Sequence, residues 1–172
     1  MQVKIHETQK GETIGTAVRI NGIVSSGLGR AHVFMAQKHY QEQFISLFGE
    51  EVWPGTLNLT VTDENLVKYI ALRIKSGIDT LDADENNLTK AVNLSLDKIV
   101  SHRIRGFLRD GVSFGGATAF MAKLTYQKES VGCAVLIPDL TRHSDVVEII
   151  SPIFLREFYD LKDDLEIEIN LE

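Results

Sequence analysis

Apolar and polar positions change period several times along the chain, and each change predicts an element. Residues 1–15 are polar and mixed, the pattern of a frayed lead-in or an edge strand. Residues 16–25 alternate in part and are β-branched, which predicts a strand. The glycine-punctuated Ser26-Gly27-Leu28-Gly29 predicts a turn after it. Phe34, Met35, Tyr40, Phe44, Leu47 and Phe48 recur at helical spacing, so residues 34–48 are expected to be helical, with Gly49 as C-cap. Trp53-Pro54-Gly55 is a turn. Residues 56–62 alternate strictly: Leu57, Leu59 and Val61 face one way, and Thr56, Asn58, Thr60 and Thr62 the other. That is a half-buried strand with one polar face.

The character changes over residues 63–105. Asp63-Glu64-Asn65 can start a helix in which Val67, Ile70, Ala71 and Ile74 form a stripe, closed by Gly77. Asp79 to Asn87 is acidic and polar, the composition of a loop. Residues 88–104 fit two periods. Leu88, Val92, Ser95 and Ile99 suit a helix, whereas Val92, Leu94 and Leu96 suit a strand. The segment is expected to be an insert carrying one or two helices.

Downstream the pattern returns to β. Residues 112–126 are interrupted by Gly115-Gly116, residues 131–137 form an apolar run ended by Pro138, and residues 145–150 and 165–171 are further strands. Leu155 to Tyr159 can make one or two helical turns. Many short strands with few helices indicate a compact β-barrel rather than a doubly wound sheet.

Composition narrows the class. A chain of 172 residues and 19.2 kDa fits one domain, or one domain with a sizeable insert. Hydrophobic residues at 44% are enough for a real core, which excludes global disorder. No apolar run reaches the roughly 18–20 residues of a membrane span. The N-terminus lacks a signal-peptide pattern, so a cytoplasmic location is expected. One cysteine excludes an internal disulfide and a cysteine-based zinc site. A net charge of −6 argues against a basic nucleic-acid surface.

Candidate chemistry lies in a few places. No G-x-x-x-x-G-K-[ST] loop is present. Gly27-Leu28-Gly29-Arg30-Ala31-His32 has the first two glycines of a dinucleotide fingerprint and His32 in place of the third. It is either an ordinary tight turn or a loop whose amides meet phosphate, helped by Arg30, His32 and the following helix. Thr56 and Asn58 share one strand face; they are either a solvated polar face or two neutral oxygen ligands for Mg²⁺ arriving with phosphates. His143, Ser144 and Asp145 are too close in sequence for triad geometry, and the histidines lack zinc spacing. Cys133 sits in an apolar run and is expected in the core. Arg156-Glu157 is either a surface ion pair or an arginine presented to phosphate.

Taken in order, these pieces resemble the archaeal CTP-dependent riboflavin kinases. The resemblance rests on Ser26-Gly27-Leu28-Gly29, a helix with Phe34, Met35, Tyr40, Gln43 and Phe44, and Pro54-Gly55-Thr56-Leu57-Asn58-Leu59. It continues with Phe114-Gly115-Gly116, Ile137-Pro138, Thr141, Asp145 to Ile150, Pro152, Leu155-Arg156-Glu157 and Leu161-Lys162-Asp163-Asp164. It covers roughly residues 16–62 and 106–171. The resemblance implies a mainly β fold, a six-stranded cradle-loop β-barrel with a few short helices. It also implies transfer of the γ-phosphoryl group of CTP to the 5′-hydroxyl of riboflavin, giving FMN and CDP with Mg²⁺. On this pattern Gly27, Leu28, Gly29, Arg30, Ala31 and His32, with Ile153, Phe154, Leu155 and Arg156, contact nucleotide. Thr56 and Asn58 hold Mg²⁺, and Thr141 and Glu148 flank the flavin. The implied partners are small molecules, with no nucleic acid and no membrane, in a monomer or small homo-oligomer.

The chain departs from the family pattern at three points. The glycine loop carries Arg30-Ala31 where Glu-Gly is usual, the spacing from Thr141 to Glu148 is one residue short, and residues 63–105 exceed the usual connection. The insert is expected to be a lid, a dimer contact or decoration. Asp145 and Glu148 are both candidates to accept the hydroxyl proton. The alternative reading is a non-catalytic flavin- or nucleotide-binding barrel acting as a sensor. A DNA-binding regulator is disfavoured, because no helix-turn-helix is expected before residue 16.

Overall fold

The computed structural model describes residues 18–27, 29, 31–141 and 143–172. The lead-in expected over residues 1–15 lies outside them, as do residues 16–17 of the first predicted strand.

The longest hairpin joins β6 (Ala117–Tyr126) to β7 (Glu129–Pro138), paired over their full lengths. Its turn places Gln127 and Lys128 at positive φ (49° and 68°), the twist a two-residue hairpin needs. β8 (Val146–Ile150) pairs with β7, and β2 (Leu57–Thr60) with β8. β1 (Val18–Ser25) joins β2 to β9 (Glu166–Leu171). β9 then pairs back to β6 through Ala122–Thr125, which closes a six-stranded antiparallel barrel. Closure leaves no long free edge on these strands. β3 (His102–Ile104) takes the rest of that edge of β6, opposite Ala117–Ala119.

Alternation assigns the faces. Ile20, Leu57, Leu59, Phe120, Leu124, Val135, Val147, Ile149, Ile167 and Ile169 fill the interior. Ala119, Ala134, Leu136 and Ile150 point outward and are covered by Tyr40 and Phe44. The middle of β7 is therefore buried on both faces, which is why residues 131–137 lack a polar alternate. Cys133 is fully buried, and desolvation pushes its thiol up to about 12.

The helix expected over residues 34–48 is two helices, α1 (Ala31–Met35) and α2 (Lys38–Phe48). Gln37 between them is extended. The buried Gln41 side chain stabilises the break by donating to the carbonyls of Met35 (2.8 Å) and Val52 (2.9 Å). Gly49 closes α2 with φ 77°, as predicted.

Part of the expected insert, residues 63–105, is built into the core. Helix α3 (Asp63–Lys75) places Val67, Tyr69, Ile70, Ala71 and Leu72 in the same apolar cluster as the barrel interior. Asn65 accepts from the Asn21 amide (2.8 Å), and Lys68 donates to the Arg19 carbonyl (2.6 Å), fastening α3 to β1. The expected loop over residues 79–87 is shorter. Asp84 accepts from the amides of Asn86 and Asn87 and so caps α4 (Glu85–Val92). The ambiguous stretch 88–104 divides into the end of α4, a turn burying Leu96 and Ile99, and β3. A separate hairpin, β4 (Phe107–Arg109) with β5 (Val112–Phe114), turns at Asp110-Gly111, a sequence signal that the hydrophobic periodicity left unread.

Candidate functional site

The site grows from the alternation of two paired strands. Leu57 and Leu59 on β2, and Val147 and Ile149 on β8, point into the barrel. Asn58 and Glu148 therefore point outward, directly opposite each other in the antiparallel register. The chain leaving β1 crosses over them. A side chain at Gly27 would put its Cβ 2.5 Å from Asn58 Nδ2, so glycine there lets the Asn58 amide keep its place. This crossing covers the polar face of β2, and Asn58 is 7% exposed rather than solvated. Its Oδ1 accepts from Thr56 Oγ1 at 2.9 Å.

Two clefts meet at this point. One, of about 500 Å³, is the more polar; it runs between Ser25, Gly27, Gly29, His32, Thr56, Asn58, His143 and Arg156. The other, of about 400 Å³, is apolar; it lies between α1–α2 and the outer barrel face, walled by Met35, Tyr40, Phe44, Leu136, Pro138 and Leu140. Ala31, Phe34, Thr56 and Glu148 belong to both. Glu148 is the carboxylate at the junction. Burial raises its pKa, with His143 pulling the other way. The Tyr40 hydroxyl donates to the Gly115 carbonyl (2.6 Å), fixing the floor of the apolar cleft to the central glycine turn.

Around the polar cleft the polar groups are tied to one another. His32 Nδ1 lies 2.8 Å from the Pro54 carbonyl; a carbonyl only accepts, so this nitrogen donates. Arg156 Nη2 donates to Asp163 Oδ1 (2.7 Å) and to the Ser25 carbonyl (3.2 Å). Ser26 Oγ donates to Asp163 Oδ2 at 2.7 Å. These hydrogen bonds, Ser26 first and Arg156 second, hold the Asp163 carboxyl below its ordinary range. Beyond Arg156, a crevice of about 80 Å³ is bordered by Trp53 and Phe154, whose rings stack at 4.5 Å.

Of the residues singled out from sequence, Gly27, Gly29, Ala31, His32, Thr56, Asn58, Glu148 and Arg156 converge on the polar cleft. Ile153, Phe154 and Leu155 line the adjoining crevice, although Leu155 itself is buried in the core cluster. Leu28 and Arg30 lie outside the described residues. Thr141 borders neither cleft. It lines a third cavity with Arg73, Asp79, Asp82 and His143, and its hydroxyl accepts from the His143 amide at 3.2 Å. Sequence reasoning did not place His143 at the polar cleft or link Asp163 to Arg156. It had no signal for Met35, Leu136 or Leu140 as cleft walls, since their apolar character is equally that of core.

Among the described residues no cluster of three or more His, Cys, Asp or Glu is arranged to hold a metal. The junction instead offers the oxygens of Thr56, Asn58 and Glu148. Thr56 Oγ1 and Asn58 Oδ1 lie 2.9 Å apart, joined by a hydrogen bond. Hard, neutral oxygens suit a cation that brings phosphate ligands with it.

The structure is a closed barrel with two adjoining small-molecule-sized clefts on its outer face, one more polar and one apolar. Comparison with known proteins narrows this. The CTP-dependent riboflavin kinase family model, described as a domain of unknown function, DUF120, matches residues 24–92 and 78–171. The chain belongs to this family. It is similar to the riboflavin kinase of Thermofilum pendens (31% identical over 156 residues, 90% of this chain and 59% of that protein). It is also similar to those of Thermoplasma acidophilum (32%, covering 85% and 54%) and Pyrobaculum islandicum (30%, covering 98% and 74%). The chain thus spans less than two thirds of the first two relatives. Among the described residues no helix is long and apolar enough to cross a membrane.

Proposed function

We propose that this chain is a riboflavin kinase that transfers the γ-phosphoryl group of CTP to the 5′-hydroxyl of riboflavin, forming FMN and CDP in the presence of Mg²⁺. The observation that carries the reading is the meeting of an apolar and a polar cleft at Thr56 and Glu148. A flat ring in the apolar cleft would send its ribityl chain toward that junction. A nucleotide held by the glycine loop and Arg156 would bring its phosphates to the same place from the other side. Phosphoryl transfer needs positioning and charge stabilisation more than covalent help.

The residues have distinct parts. Thr56 and Asn58 would hold Mg²⁺, which when bound neutralises charge on the phosphate oxygens. Loop amides and the Arg156 guanidinium stabilise the same charge from the protein side. Glu148 is the base. As the riboflavin 5′-oxygen bonds to the γ-phosphorus and the bond to the β-phosphate oxygen breaks, the hydroxyl proton passes to the Glu148 carboxylate. Burial favours that proton transfer by raising the carboxyl's affinity for a proton. Asp145 is exposed and borders neither cleft, so it is not preferred.

The test is FMN formation from riboflavin with Mg²⁺ and CTP, ATP, GTP or UTP in parallel. FMN with CTP alone supports the full reading. FMN with another nucleotide keeps the kinase and assigns the altered choice to the Arg30-Ala31-His32 segment. Riboflavin binding without FMN from any nucleotide replaces the kinase with a flavin sensor.

A further inference from the structure

Arg156 and the entry to the glycine loop are far apart in sequence, and one carboxylate holds both. Asp163 Oδ1 accepts from Arg156 Nη2 and Oδ2 from Ser26 Oγ, each at 2.7 Å. The segment carrying Asp163 is itself anchored. The Asp164 amide donates to the Val24 carbonyl (2.9 Å) and the Val24 amide to the Leu165 carbonyl (2.8 Å), so Asp163 is set beside the end of β1 by backbone bonds on its C-terminal side. An acidic side chain next to an anion-binding cleft opposes phosphate unless its charge is already matched, and here Arg156 matches it.

The guanidinium geometry gives this pairing a direction. Both bonds from Arg156, to Asp163 and to the Ser25 carbonyl, leave from Nη2. Both forks of a guanidinium include Nη2, so these two bonds occupy the shared donor, and among the described residues no partner engages Nη1 or Nε, which remain to donate singly to phosphate oxygens. Asp163 is two-fifths to one-half exposed, so as a simple surface ion pair it would contribute little to stability. Its geometric effect is larger than its effect on stability.

We infer that Asp163 is a positioning residue: it clamps Nη2 of Arg156 and the hydroxyl of Ser26 together, so that the unengaged Nη1 of Arg156 is held at the polar cleft to meet incoming phosphate. The inference rests on the nucleotide reading of the polar cleft. Its substrate-side consequence is specific to the nucleotide, because Asp163 borders neither cleft and touches no wall of the apolar one.

The experiment is a double-mutant cycle read by CDP titration of the full chain, with riboflavin titration and thermal melting alongside. Asp163→Ala is expected to weaken CDP binding about fivefold, the scale of releasing one long, rotamer-rich side chain. In an Arg156→Gln background the same change is expected to weaken CDP less than twofold, because Asp163 then has no guanidinium to hold. Riboflavin affinity should not change. Asp163→Asn keeps an acceptor for Nη2 and should restore part of the loss. Ser26→Ala, which leaves the Arg156 bond intact, should cost less than Asp163→Ala. Equal losses in both backgrounds, or a parallel loss of riboflavin affinity, would overturn the inference while leaving the nucleotide site in place. An Arg156→Gln variant with unchanged CDP affinity would overturn the nucleotide role of Arg156 and this inference with it.

Discussion

Gly27→Ala separates the site from the fold more cleanly than any change to a polar residue. The added Cβ would lie 2.5 Å from Asn58 Nδ2, whereas ordinary contact begins near 3.4 Å, so the amide must retreat by about 1 Å. It can do so, because the clash is with the far end of a side chain and not with backbone. The retreat breaks the Thr56–Asn58 hydrogen bond, at a cost of about 1 kcal/mol. Gly27 has no positive φ, so alanine also restricts the unfolded chain and returns about 0.4–1 kcal/mol. The two effects nearly cancel, and the melting temperature should move by no more than about 2 °C.

Function should respond very differently. A displacement of about 1 Å in a positioned ligand group can cost on the order of a hundredfold in rate. The Mg²⁺-dependent part of CDP affinity, and FMN formation, should fall at least about tenfold. The control is Gly22→Ala, whose Cβ would meet Leu59 Cβ at 2.8 Å and the Thr60 carbonyl at 3.1 Å. Those atoms belong to a barrel strand and cannot step aside, so this variant should lose about 2 kcal/mol of stability. Melting curves and CDP titrations with and without Mg²⁺ decide between the two behaviours. A Gly27→Ala protein with unchanged Mg²⁺ dependence, or one that melts more than about 6 °C early, would refute the reasoning.

Three other outcomes are expected. Thr56→Ala combined with Asn58→Ala should abolish Mg²⁺-dependent turnover and leave the barrel folded; full activity in that variant would remove the metal assignment. Glu148→Gln should impair riboflavin binding or turnover more than CDP binding, and unchanged flavin titrations and rates would count against its role. Asp82→Asn should destabilise the protein by about 2 kcal/mol near neutral pH, because the Asp82 carboxylate bonds the buried Arg73 at 2.9 and 3.2 Å. The Arg73 hydrogen bond holds the Asp82 pKa below its ordinary 3.8, so this stability is present above pH 3.8 and is lost as pH falls below it. Chemical denaturation across pH 2–6 should show the wild type and Asp82→Asn converging at the acid end, and parallel curves would contradict the pairing.

Much of the barrel was legible because strand period and face coincide. β2, β8 and β9 alternate as the sequence does, and Gly49 and Gly77 mark helix ends by their left-handed φ. The errors have physical causes. Residues 34–48 keep a helical period through a break that Gln41 stabilises from four residues away, a tertiary effect invisible to periodicity. The start of helix α4 was hidden because its cap, Asp84, stands in an acidic run that resembles a loop. The insert reading of residues 63–105 undervalued Tyr69 and Leu72, which have no special pattern on the helix yet are almost wholly buried against the barrel. Among the candidate site residues, those on short motifs meet at the polar cleft. Thr141, carried to the flavin by resemblance, lines a cavity with Arg73 and Asp82.

Asn58 and Glu148, opposite each other on β2 and β8, differ in how they bear burial, and the difference fits the separate parts proposed for them, metal ligand and base. Asn58 is covered by the crossing at Gly27 and is satisfied by Thr56, so its burial is nearly neutral. Glu148, directly opposite, accepts no hydrogen bond from the described residues, and desolvation alone sets the direction of its pKa. A barrel interior would not tolerate that carboxylate, because no second element could satisfy it. On the outer face, under a loop and a short helix, it can await a donor. A sugar-like hydroxyl arriving through the apolar cleft would be such a donor, and in the proposed transfer its proton is the one removed. The same two-residue period that sends Val147 and Ile149 inward leaves Glu148 on the outer face, where the proposed reaction would use its poorly solvated charge.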